Sequence, residues 1–140
     1  MPDVSLDNAV WLLTGLAAVV ILLTRMRLSS EQSQAGHALV PHAVVNAHSI
    51  VGVGALGVWI AYLTSPGGTL GATALGLWWI EVALGILILL RWMSGSGRHA
   101  TATTGDSWGE GPSLSILGHV GMLLGVGFFT WVVLAEKISG

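Results

Sequence analysis

Apolar residues fall along this chain in four long runs separated by short polar segments, and they keep neither the alternation of a half-buried strand nor the one-sided stripe of a surface helix. A bilayer core about 30 Å thick calls for about 20 apolar residues in helical form, because backbone N–H and C=O groups in lipid must be satisfied within the segment. Four stretches meet that demand, at about 9–24, 39–63, 70–93 and 114–135. Asn8 opens the first, and Arg25 and Arg27 close it. Ser65-Pro66-Gly67-Gly68 reads as a tight turn between the second and third, and Gly111-Pro112-Ser113 sets up the fourth. The pattern predicts an all-α integral membrane protein with a single membrane domain over residues 1–140. The first and second connections hold neighbouring helices antiparallel, so the expected fold is an up-down-up-down four-helix bundle. The second and fourth helices then lie diagonally across its centre.

Composition narrows the function classes. Only 9% of the 140 residues are charged and 53% are hydrophobic, against roughly 25% charged in an ordinary soluble domain. Five Lys and Arg against seven Asp and Glu provide no basic stripe for phosphates, so nucleic acid is not an expected partner. The absence of cysteine excludes thiolate zinc sites, iron–sulfur clusters, c-type haem attachment and dithiol relays. No nucleophile elbow, zinc-protease helix or phosphate loop is present, so catalysis by this chain alone is not expected.

Positive charge sets the expected orientation. Arg25 and Arg27 open the first loop, Arg91 and Arg98 lie in or beside the third, and the second has none, which places both termini outside. Asp3 and Asp7 without a positive n-region argue for a retained first span rather than a cleaved signal. The expected location is a bacterial-type plasma membrane, with lipid as one partner and other membrane subunits or further copies of the chain as another. Residues 94–113 read as a flexible cytoplasmic loop, with Trp92 and Trp108 as interfacial anchors, and His37 and His99 as solvated loop residues.

Twenty glycines are present, many inside the spans, and pairs such as Gly121-x-x-x-Gly125 allow close helix approach. The alternative use is to clear room for a flat cofactor between helices.

His48, Glu81 and His119 are ionisable side chains well inside the spans, where such groups are costly and mark functional sites. At about 1.5 Å per residue, His48 lies ~13 Å into the second span and His119 roughly 7–9 Å into the fourth. With Pro41 and His42 interfacial, the two histidines come to nearly one level. Two imidazoles at matched depth on diagonal helices are suited to the axial positions of a b-type haem. Gly52 and Ala55 follow His48 on one helix face, smooth enough for a porphyrin. Arg25, Arg27, Arg91, Arg98 and His42 are expected near the propionates. Glu81, near the bilayer centre, is expected to be uncharged if isolated, either as a neutral acid hydrogen-bonded across the bundle or to a partner helix, or as a proton acceptor beside a redox or transport site. His42, Asn46 and Ser49 form a second polar stripe, facing water, a lipid headgroup or another subunit.

The histidines in "AHSIVGVGALGVW" and "LGHVGMLLGVGFF", placed on the second and fourth spans, make the chain resemble the four-helix membrane b-type cytochromes, of which the cytochrome b561 group is the familiar case. The resemblance implies haem b held by His48 and His119, and electron transfer as the activity. Such cytochromes often carry a second histidine pair near the opposite surface. This chain has none there, so at most one haem is implied. Three alternatives stay open at this point: a non-catalytic accessory subunit whose histidines make interhelical hydrogen bonds; a divalent-metal site drawn from His42, His48, His119 and Glu81; and a transporter component using Glu81.

Overall fold

The computed structural model describes residues 5–29, 42–96 and 112–137, and within them the chain forms four helices: α1 (Leu6–Ser29), α2 (His42–Thr64), α3 (Gly68–Ser96) and α4 (Pro112–Leu134). Each carries a stretch long and apolar enough to cross a membrane. Every helix overruns its hydrocarbon span at one or both ends, α1 past Arg25 and Arg27, α3 past Arg91. A helix has no reason to stop where the lipid does, since water satisfies its last carbonyls.

Helix ends follow local chemistry. Ser5 caps α1, its Oγ accepting from the backbone N–H of Asn8 at 3.2 Å. The Ser65-Pro66-Gly67 turn separates α2 from α3, with the N–H of Leu70 donating to the Gly67 carbonyl at 3.0 Å. At the end of α4 the N–H of Lys137 reaches the carbonyl of Val132 and that of Glu136 the carbonyl of Val133, with Glu136 in the left-handed region at φ 49°. That is a Schellman closure with a non-glycine residue at the position glycine usually takes.

The helices pack in ring order α1, α2, α3, α4, with α2 against α3 the most extensive of the four neighbouring contacts and α1 against α4 the slightest of them. This is the expected bundle with α2 and α4 diagonal. Ala55 and Ala74, both fully buried, let α2 and α3 approach closely. Large apolar side chains point outward, with Leu12, Ile50, Leu124 and Leu134 all at least 70% exposed, as lipid-facing surfaces require.

The core is uneven along the bundle axis. At the end carrying the α2–α3 turn it is filled by Trp59, Tyr62, Trp78 and Phe129. Trp59 and Phe129 stack at 4.3 Å, and Trp78 meets Phe129 at 6.2 Å. Gly71 makes room for Tyr62, whose ring lies 3.0 Å from where a Cβ would stand. α1 joins this end through Val10, Thr14 and Ala17, and the Trp59 indole donates to Thr14 Oγ1 at 2.9 Å. The Thr14 hydroxyl in turn donates a hydrogen bond to the Val10 carbonyl at 2.8 Å, so the chain of donors closes inside the bundle. Towards the other end the filling stops: among the described residues, none of α1 beyond Ala17 and none of α4 before Val126 is buried.

The glycine pair Gly121-x-x-x-Gly125 does not serve packing within this chain. A Cβ at either position would meet nothing within 4 Å, because these residues face away from the neighbouring helices. The expectations for the 94–113 loop, Trp108, His37, His99 and Arg98 fall on residues 30–41 and 97–111 or, for the loop's ends, on helix termini, and most of them lie outside the described residues.

Candidate intramembrane site

α2, α3 and α4 each bring one ionisable side chain to the same place. His48 and His119 each stand about two turns into their helices, α2 and α4, and Glu81 near the middle of the longer α3. Antiparallel packing puts all three at one level. The His48 and His119 ring centroids lie 6.3 Å apart with 15° between the ring planes. That is the matched depth expected from the sequence, now with the rings near-parallel.

Glu81 is buried, and its Oε1 lies 2.9 Å from Nδ1 of His48. The contact does not meet hydrogen-bond geometry, and Nδ1 of His48 is buried without a hydrogen-bond partner among the described residues. The other oxygen of Glu81, Oε2, is buried without a hydrogen-bond partner among the described residues, as is Nε1 of Trp78 one turn earlier on the same face of α3. The described neighbour of Glu81 is therefore a histidine on the adjacent helix α2.

Two glycines shape this cluster. A Cβ on Gly52 would lie 2.6 Å from Oε1 of Glu81, so the carboxyl group rests directly on the α2 backbone. Gly52 thus serves Glu81 in the described arrangement. A Cβ on Gly85 would lie 2.7 Å and 2.8 Å from Cδ2 and Nε2 of His119, and 3.3 Å from Cε1 of His48. Both rings close on one bare point of α3. Gly85 was not singled out in the sequence as a site residue. The signal that could have found it is its spacing of four from Glu81, which puts the two on one helix face.

The remaining candidates lie apart from the cluster or beyond description. Asn46 is exposed on α2, and Ser49 returns its hydroxyl proton to the Val45 carbonyl at 3.2 Å. Arg25 is exposed near the end of α1. His42, Arg27 and Arg91 belong to helices, but their side chains lie outside the described residues. Among the described residues no three His, Asp or Glu side chains gather at a spacing that would hold a metal ion, so the alternative of a multi-ligand divalent site is not formed there.

What the pair can do follows from its spacing. The ring centroids stand 6.3 Å apart, wide enough for one atom between them, and Nε2 of His119 lies beside Gly85 on the α3 side of the pair. Imidazole nitrogens are the donor type that haem iron takes, so the residue types at this level would fit that group. On the α3 side the space between the rings meets Gly85, where only backbone stands. Away from α3, towards α1 and α4, buried side chains are absent from this half of the bundle among the described residues.

Comparison with protein-family models, with curated proteins and with solved structures finds no match to the chain. The cytochrome b561 identity therefore has no support beyond the two histidines and their placement, and the four-helix membrane bundle is what stands.

Proposed function

We propose that the chain is a small haem-b-bearing electron-transfer subunit, or the membrane anchor of a larger redox complex, with His48 and His119 as axial ligands. The observation that carries this reading is the pairing of two imidazoles from diagonal helices at 6.3 Å with nearly parallel planes. Haem b held between two imidazoles supplies one-electron transfer at an iron. His48 and His119 hold the site from α2 and α4. Gly85 keeps α3 from intruding with a side chain, and the hydrocarbon around the bundle excludes water. Arg25 and Arg91 are the cationic partners assigned to the propionates. The test is the visible spectrum of the full chain purified after expression with ample haem. A sharp b-type α band on reduction, lost in His48→Ala and in His119→Ala, is the expected result. A wild-type protein without Soret absorption overturns the reading.

A second reading is favoured by a different observation, the contact-tight closure of Glu81 on Gly52 and of both rings on Gly85. Such closure locks three helices together, as suits a non-catalytic accessory subunit in a larger membrane assembly. Under this reading the same alanine variants weaken folding or assembly and no chromophore is present to lose. Co-purification with stoichiometric larger subunits supports it.

A further inference from the structure

We infer that α3 holds an internal water molecule beside His48, bridging the indole of Trp78 to the carboxyl group of Glu81. Three buried side-chain atoms have no hydrogen-bond partner among the described residues: Nδ1 of His48, Nε1 of Trp78 and Oε2 of Glu81. All three belong to one neighbourhood, since Trp78 and Glu81 share a face of α3 and Oε1 of Glu81 lies 2.9 Å from Nδ1 of His48. Each atom is sealed from the outer surface, and the hydrocarbon beyond has neither donor nor acceptor to offer. Leaving such atoms unpaired is costly, and folded proteins resolve the cost with a protein group or an ordered water.

The three atoms match one ligand chemistry. An indole N–H only donates, so its partner must accept. A carboxyl oxygen accepts when ionised and can donate when protonated, and an imidazole nitrogen is donor or acceptor according to its tautomer. Water both donates and accepts, and when buried it makes about three hydrogen bonds. The bridge is therefore indifferent to the charge of Glu81 and to which nitrogen of His48 carries a proton. Reach fits as well. Residues three apart on a helix have Cβ atoms about 5–6 Å apart, a distance that two hydrogen bonds of about 2.8–3.0 Å span end to end. The terminal torsion of a glutamate is broad, so the carboxyl turns to admit the water without any helix moving. Trp59 provides the contrast. It is as fully buried as Trp78, but its indole already donates to Thr14 Oγ1 at 2.9 Å and needs no water. The water site does not rest on the haem reading, because neither Trp78 nor Glu81 is an assigned ligand.

The experiment uses the full chain in lipid nanodiscs without haem, with ¹⁵N-labelled tryptophan, and follows through-space magnetisation transfer from water to each indole N–H. Wild type is expected to show a water cross-peak at Trp78 and none at Trp59. Glu81→Gln keeps an acceptor and a donor at the same place but no rapidly exchanging carboxyl proton. A bound water retains the cross-peak in this variant, whereas a signal relayed through the carboxyl proton loses it. Glu81→Leu removes the acceptor and fills the space with an apolar group, and the cross-peak should be lost. A wild type with no cross-peak at Trp78 overturns the inference, as does one of equal strength at Trp59, which marks general wetting of the bundle. Loss of the cross-peak in Glu81→Gln, or its persistence in Glu81→Leu, overturns it too. Should Glu81→Leu fail to fold, wild type and Glu81→Gln decide the matter between them.

Discussion

Gly85 of α3 and His119 of α4 meet so closely that a methyl group on the glycine would stand 2.8 Å from the ring's Nε2. The neighbour here is a ring with few degrees of freedom, and His48 stands on the other side of the same point at 3.3 Å. Gly85→Ala should therefore cost about 1–3 kcal/mol, as overpacking does. It should also drive the two histidines apart. Unfolding of the purified protein in detergent, followed by circular dichroism, measures the first effect, and the haem spectrum measures the second.

The contrast lies on the outer face of α4. Gly121 and Gly125 have open space where a Cβ would be, so alanine at either meets nothing within the chain. Helix propensity alone then favours the substitution by up to about 1 kcal/mol. Stability equal to or above wild type is the expected outcome in detergent. A loss larger than 1 kcal/mol, confined to lipid bilayers, would show that another chain packs on this face.

The hydrogen bond from the Trp59 indole to Thr14 is the buried polar tie between α1 and α2. Thr14→Val keeps the shape and leaves the indole N–H unpaired, at an expected cost of about 1–2 kcal/mol. Interhelical hydrogen bonds in membranes average nearer ~0.6 kcal/mol, because the unfolded helices find other partners. A double-mutant cycle with Trp59→Phe separates the bond from the aromatic packing. A coupling energy of zero would show that α1 is held by shape alone.

Glu136 occupies the left-handed position of the Schellman closure at φ 49°. Glycine there carries no Cβ penalty, so Glu136→Gly is expected to raise stability by about 0.5–1 kcal/mol without changing the site. Thermal unfolding of the two proteins side by side provides the measurement.

The spans, the antiparallel order and the matched depth of His48 and His119 were legible in the sequence, because each depends only on counting residues along a helix. The rotation of each helix about its own axis was not. α2 and α4 are apolar on every face, and a helix without an amphipathic stripe carries no mark of which side turns inward. For this reason Gly52, on the His48 face, read as a surface for a cofactor when its neighbour is the Glu81 carboxyl. Gly85 stayed unnoticed for the same reason, and Gly121 and Gly125 read as packing residues when they face outward. The partner of Glu81 was equally hidden, since a carboxylate on α3 meets a histidine on α2 only once both helices have been turned to face each other. The ends of the helices were misjudged by a few residues, because capping chemistry and not hydropathy sets where they stop.

The uneven filling of the bundle sets its ionisable layer against a block of aromatic rings. Trp59, Trp78 and Phe129 stopper one end with large rings, and the histidines stand on the unfilled side of that stopper. The layer of His48, Glu81 and His119 is therefore bounded by aromatic packing on the side of the α2–α3 turn and, on the other, by Val45, the last buried residue of α2 in that direction among the described residues.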